Sequence, residues 1–251
     1  MFWVYLSPHF DDIALSCGGL AWQQSQSGET VQIWTLCAGD PPPGGFSPFA
    51  EGIHARWQTG PAATQTRRAE DLASCGILGA TPRHFSIPDC IYRTDPHGTH
   101  LYASEAALYS PVHPAEDGLL EQLVSELGHL LPAEANLVSP VSVGYHVDHR
   151  LTRRLAERLA AEHPGLTLWY YVDFPYILTR PQQFSRLRGA AWESVLFPLS
   201  EPALRAWTNG FTAHASQLST FWPDAETAHA VFDTYAQLMG GARLWKVNRD
   251  A

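Results

Sequence analysis

The sequence predicts an α/β protein, a Rossmann-like three-layer αβα arrangement around a mostly parallel sheet. Three observations predict it. A strand, a helix and a strand follow one another between Phe2 and Ala38; the alternation then recurs; and the first strand is short and apolar throughout, as a central parallel strand covered by helices is.

Phe2 to Leu6 is almost wholly apolar and is closed by Pro8, which fits a first strand buried on both faces. Ile13 to Gln26 is rich in helix formers, with Leu15, Leu20 and Trp22 for a buried face and Gly28 to end it. Thr30 to Ala38 alternates β-branched and large apolar residues as a second strand does. From Gly39, GDPPPGGFSPF predicts a loop, because proline removes backbone donors and glycine frees the chain. Thr64 to Leu78 returns to a helix with Leu72, Cys75 and Leu78 on its buried face, and Arg83 to Ile87 reads as a third strand. Pro88 to Glu116 shows no clear period, and so long a loop is expected to border a site. Gly118 to Leu131 is a helix with a stripe of leucines that includes Leu130, followed by a fourth strand from Ala135 to Pro140. Leu151 to Glu162 is an amphipathic helix, Leu166 to Val172 a fifth strand, and Trp192 to Leu199 a further strand near the sheet edge. The rest reads as helical, a C-terminal cap from about residue 200 on a single domain spanning 1–251.

Composition narrows the function. Sixteen Lys and Arg against twenty-five Asp and Glu give a net charge of −9, which leaves no broad attraction for nucleic acid or an anionic membrane. The apolar share of 45% and charged share of 16% are those of a packed globule. Cysteines 17, 37, 75 and 90 form no C-x-x-C pair, so free thiols in a reducing compartment are expected. With no basic leader before Asp11 and no apolar run near ~18 residues, a cytoplasmic protein off the membrane is predicted. Oligomeric state stays open, a homo-oligomer included.

Two clusters concentrate metal-ligand residue types: Ser7-Pro8-His9-Phe10-Asp11-Asp12, and Gly144-Tyr145-His146-Val147-Asp148-His149-Arg150. Each follows a predicted strand, and in an open α/β sheet the carboxyl ends of neighbouring strands converge on one crevice. His9, Asp12 and His149 suit a divalent ion such as zinc, which takes about three imidazole and carboxylate ligands in a catalytic site. Asp11, His146 and Asp148 are then left as acid/base groups. Two adjacent aspartates share a dry site only beside a balancing cation. Asp11 or Asp12 alone also suits a helix N-cap, but two such clusters after strands favour a shared site.

The motifs SPHFDD and HVDH resemble those of the LmbE-like (PIG-L) N-deacetylases, zinc hydrolases that remove the acetyl group from N-acetylglucosamine-containing substrates. The likeness extends to RRAE followed by LASCGILGA, to LWYYVDFPY and to HASQL, and so covers most of the chain. Phe10 and Ile13 depart from the usual proline and glutamate, at positions that are not ligands. The resemblance implies that His9, Asp12 and His149 hold zinc, with Fe2+ or Co2+ as other candidates. It implies that Asp11 is the general base and that His146, oriented by Asp148, works opposite it. A zinc-activated water would attack the acetyl carbonyl, and either His146 or Asp11 would protonate the leaving amine. Arg67 looks like the family's substrate-contacting arginine. Asp89 and Arg93 are candidate contacts to sugar hydroxyls or an anionic aglycone, with an exposed ion pair as the competing reading. The role of Tyr145 is open, and His214 reads as a solvated or capping histidine.

The expected partner is a small N-acetylated sugar or sugar conjugate. An amidase cleaving a larger acyl amide would use the same chemistry in a different pocket. A carbohydrate-binding protein without turnover would have no use for Asp11. A dinucleotide-dependent oxidoreductase is excluded, since the first strand leads into SPHFDD and not into G-x-G-x-x-G.

Overall fold

The computed structural model describes residues 1–188 and 192–247. Seven strands form one sheet: β1 (Phe2–Ser7), β2 (Thr30–Thr35), β3 (Thr81–His84), β4 (Ala135–Pro140), β5 (Leu166–Tyr171), β6 (Trp192–Phe197) and β7 (Ala242–Val247). Their order is β3-β2-β1-β4-β5-β7-β6. Strands β1 to β5 run parallel, whereas β7 is antiparallel to both β5 and β6. The helices are α1 (Asp12–Ser16), α2 (Gly18–Gln26), α3 (Pro48–Trp57), α4 (Ala63–Leu78), α5 (Glu105–Leu108), α6 (Asp117–Gly128), α7 (Val147–Glu162), α8 (Tyr176–Thr179), α9 (Pro181–Leu187), α10 (Glu201–Thr212), α11 (Ala215–Phe221) and α12 (Ala225–Met239).

Alternation along β1 makes the three layers. Tyr5 enters a core with Leu15, Leu20, Leu78, Trp207, Phe211 and Phe232 on one face of the sheet. Val4 and Leu6 enter a second core with Leu123, Leu127, Leu155 and Leu159 of α6 and α7 on the other. The chain steps from β1 outward to β2 and β3, then returns to β4 on the opposite flank. The switch in strand order therefore lies between the carboxyl ends of β1 and β4, where a crevice opens.

Several expectations need correction. The helix expected over Ile13 to Gln26 breaks at Cys17, where Gly18 lets α10 approach: a Cβ there would lie 2.9 Å from Trp207 Cδ1. The Pro/Gly segment is followed by α3, which starts at Pro48 with the Ser47 side chain accepting from the Ala50 N–H. Strand β3 is Thr81–His84, earlier than expected, and Ser86 and Pro88 continue it only through isolated bridges to Cys37 and Gly39. Leu72 is 50% exposed, because α4 buries Arg67, Asp71, Ser74, Cys75 and Leu78 instead, and Leu130 lies beyond the end of α6 and is exposed. Helix α7 begins at Val147, not Leu151. The C-terminal region is not helical throughout, since β7 completes the sheet between β5 and β6. All four cysteines are free and buried. Among the described residues, no helix is long and apolar enough to cross a membrane.

Candidate active site and metal centre

The turn after β1 and the start of α7 meet at the crevice. Asp12 opens α1, and its Oδ2 accepts the His9 backbone N–H at 2.8 Å, which folds the turn so that His9, Asp11 and Asp12 line one cleft. In the second cluster His146 caps α7: its Nδ1 accepts the Asp148 N–H at 3.3 Å. His149 then falls in the first turn and faces the same cleft. Two backbone positions before α7, Ser142 and Tyr145, take positive φ values of 72° and 63°, conformations that side chains usually avoid and that cluster at functional sites. The Ser142 hydroxyl donates to the His149 carbonyl at 2.9 Å.

Asp12 stands between two imidazoles. His9 Nδ1 lies 3.3 Å from Asp12 Oδ2, and His149 Nε2 lies 3.3 Å from Asp12 Oδ1. Bonds of roughly 2.0–2.2 Å to a tetrahedral ion would hold donor atoms about 3.4 Å apart, close to each of these two pairs, and ring nitrogens of His9, His146 and His149 lie within 4.8 Å of one another, so the cluster suits a divalent cation. The other nitrogen of each histidine is held by a carboxylate: His9 Nε2 meets Asp148 Oδ2 at 2.9 Å, and His149 Nδ1 meets Asp173 Oδ1 at 2.6 Å. Ligand histidines commonly show this pairing.

The electrostatics also call for a cation. Asp11, Asp12, Asp89, Asp148 and Asp173 surround the histidines, against the two arginines Arg67 and Arg93. Burial works to lower the His149 pKa, but the Asp12 carboxylate, then Asp173, outweigh it and bring it up to about 10. Burial likewise opposes the charge on His9, and Asp89, Asp12 and Asp148 together raise it well above the ordinary value. Burial would raise the Asp12 carboxyl, but His149 and His9 hold it well below the usual range. The pocket thus gathers two imidazolium charges where one divalent ion would supply the same charge.

Burial, and next the charge of His9, push His146 down to about 3. Its Nδ1 is occupied as an acceptor, so the neutral ring carries its proton on Nε2. Asp148 does not orient it as expected: that carboxylate bonds His9, Arg93 Nη2 at 2.5 Å and the Cys90 N–H at 3.2 Å. Arg93 is displaced from its expected role too. It is 7% exposed, ion-paired to Asp148 and Glu116, and absent from the cleft wall, so it braces Asp148 from behind.

Arg67 and Asp89 do line the cleft. The Arg67 guanidinium donates to Asp11 Oδ1 at 2.9 Å, lies 3.6 Å from Asp89 Oδ2, and stacks 4.6 Å from the Trp57 ring. Tyr145 stands outside the cleft wall with Arg150 over its ring. His214 stands at the N-cap position of α11, as a capping residue would, but its side chain makes no cap bond; it is wholly buried, contrary to a solvated residue, and neither ring nitrogen has a hydrogen-bond partner among the described residues. Asp173 lies in the segment LWYYVDFPY but was assigned no role, although it follows β5 just as the two clusters follow β1 and β4, so the same strand-end signal pointed to it. The sequence reading also assigned no role to the rim formed by Trp57, Tyr109, Tyr176 and Phe221, of which only Tyr176 lies in a quoted segment, LWYYVDFPY.

Known proteins similar to this chain in sequence or fold include several deacetylases. A 2'-N-acetylparomamine deacetylase of Niallia circulans is 30% identical over 192 residues, covering 69% of this chain and 66% of that protein; the chain therefore spans about two thirds of that relative's length. The fold matches a crystal structure of a zinc-inhibited form of teicoplanin deacetylase, at 22% identity, TM-score 0.82 and full coverage of both chains. A deacetylase of an antimicrobial pseudoaglycone is 28% identical with TM-score 0.73, covering 99% of this chain and 97% of that one. The profile of the PIG-L family, described as GlcNAc-PI de-N-acetylase, matches residues 4–160, from β1 into α7, and the chain belongs to that family.

Proposed function

We propose that this protein is a metal-dependent N-deacetylase that hydrolyses the acetamide of an N-acetylglucosamine-type sugar or sugar conjugate, releasing acetate and the free amine. One observation carries the proposal: two turns far apart in sequence bring ring nitrogens of His9, His146 and His149 within 4.8 Å of one another, with Asp12 paired to His9 and His149 and Asp11 on the same cleft. The deacetylase relatives support the substrate class.

In this reading His9 Nδ1, the Asp12 carboxylate and His149 Nε2 hold a divalent ion, with zinc as the proposed metal. When bound, such an ion supplies Lewis acidity that makes water nucleophilic near neutral pH and polarises a carbonyl. Asp11 is the general base. Its Oδ1 is fixed by Arg67, which leaves Oδ2 to take the proton of the attacking water and to return it to the departing nitrogen. His146, whose Nδ1 is taken up by the Asp148 N–H, has Nε2 left to donate to the carbonyl oxygen and to stabilise the charge that develops there. Asp148 and Arg93 keep His9 in place, while Arg67 and Asp89 offer polar contacts to sugar hydroxyls. Trp57, Tyr109, Tyr176 and Phe221 form walls against which the apolar face of a sugar can lie.

The cleft measures about 120 Å³. The test is acetate and amine release from N-acetylated and longer N-acylated glucosamines by zinc-loaded protein. Acetate release that falls by about 10²–10⁴ in Asp11→Asn, with metal content unchanged, is the expected result. Release of longer acids in preference to acetate would replace the deacetylase with the amidase; an unaffected Asp11→Asn would remove the assigned base.

A further inference from the structure

The carboxyl end of β5 contributes a residue to the centre from a part of the chain beyond the family match. Asp173 is 1% exposed and spends both oxygens: Oδ1 on His149 Nδ1 at 2.6 Å and Oδ2 on the Val143 N–H at 2.7 Å. The Val143 bond ties the carboxylate to the loop that leads into α7, so its position relative to His149 is set from two sides. A backbone N–H can only donate, which fixes Oδ2 as an acceptor and leaves Oδ1 as an acceptor facing Nδ1.

From this geometry we propose that Asp173 is a positioning residue that holds the proton of His149 on Nδ1 and so presents Nε2, with its lone pair, to the metal. The inference rests on the metal-centre reading above. It also makes the two histidines unlike: Asp148 occupies Nε2 of His9, so His9 ligates through Nδ1 while His149 ligates through Nε2. Loss of such an outer carboxylate weakens metal binding without removing a ligand.

The discriminating variant is Asp173→Asn. It keeps the volume, but with its carbonyl still serving Val143 it turns an amide N–H₂ toward His149 Nδ1. That forces the imidazole proton onto Nε2, where the metal should bind, as an aspartate-to-asparagine change behind a catalytic histidine imposes the wrong tautomer. Zinc affinity, measured by competition with a chromogenic chelator on folded apo-protein, is expected to fall about ten- to a hundredfold. In zinc-loaded wild type with ¹⁵N-labelled histidine, the His149 ring proton is expected on Nδ1. Unchanged affinity in Asp173→Asn, or a metal bound to Nδ1 of His149 in the wild type, overturns the proposal. If the variant does not fold, the wild-type spectrum decides alone. If His149→Ala binds zinc as tightly as wild type, the metal-centre reading fails first, and the two failures are thereby told apart.

Discussion

A buried histidine with no hydrogen bond is a point at which acid attacks the fold. His214 has 0% exposure and two unpartnered ring nitrogens, and burial lowers its pKa, an effect that Asp11, Asp71 and Glu70 offset only in part. The sign follows from linkage. With the folded pKa below the unfolded value of about 6.5, the unfolded chain binds the proton first as pH falls. Stability is therefore full above about pH 6.5 and declines below it, by at most ~1.4 kcal/mol per pH unit, until the folded-state pKa is passed. His214→Gln, which cannot take up a proton, is expected to unfold in urea with a constant offset from wild type at pH 7–8 and to gain on it as pH is lowered through about 6. Parallel curves for the two proteins would show that His214 is not the group responsible. The motif HASQL marks this residue in the sequence, but residue type alone does not report that it is fully buried at the junction of α10 and α11. Arg93 makes the same point: a loop arginine looks free until Glu116 and Asp148, distant in sequence, close on it.

At the level of elements, the position of Asp89 depends on a close backbone crossing beyond the ends of β2 and β3. The Gly39 N–H donates to the Ile87 carbonyl at 2.8 Å, and a Cβ on Gly39 would sit 2.1 Å from the Ser86 carbonyl oxygen. That contact is backbone against backbone, so no side chain can rotate away. Gly39→Ala is expected to destabilise the protein by about 1–3 kcal/mol in denaturant melts, the usual range for overpacking. It should also lower turnover, because the displaced Ser86–Pro88 segment carries Asp89 away from Arg67 and His9. A melt within experimental error of wild type would mean that the crossing relaxes elsewhere. The parallel core was legible because β1 is an almost wholly apolar run and β2, β4 and β5 are short segments rich in β-branched, aromatic and large apolar residues, and the rule that strand ends converge then located both metal-ligand clusters. Two elements were hidden by local composition. Helix α3 begins inside a Pro/Gly context in which Ser47-Pro48 is also a cap followed by a first-turn proline, and β7 is a six-residue run directly after the helix end at Gly240 and Gly241.

On the scale of the whole molecule, the candidate metal centre joins parts of the chain that the sheet brings together only at their ends: the β1–α1 turn, the first turn of α7, and Asp173 after β5. An ion bound there contacts the folded state and not the extended chain, so its binding free energy adds to folding stability. At free zinc a thousandfold above Kd the gain is about 4.1 kcal/mol, and for a chain of 150–250 residues each kcal/mol moves Tm by about 2–4 °C, so Tm should rise by roughly 8–16 °C over chelator-treated protein. His149→Ala should lose most of that rise and should also lower the chelator-treated Tm, since it leaves Asp12 and Asp173 buried without the imidazole that pairs with both. Metal release should also become easier as pH falls, because His9 and His149 must shed protons to bind the ion, so the zinc-dependent part of Tm is expected to shrink between about pH 8 and pH 6. A Tm indifferent to zinc and chelator alike would mean that the three segments are held together by their carboxylates and imidazoles without an ion. The deacetylase mechanism would then lose the Lewis acid on which Asp11 and His146 depend.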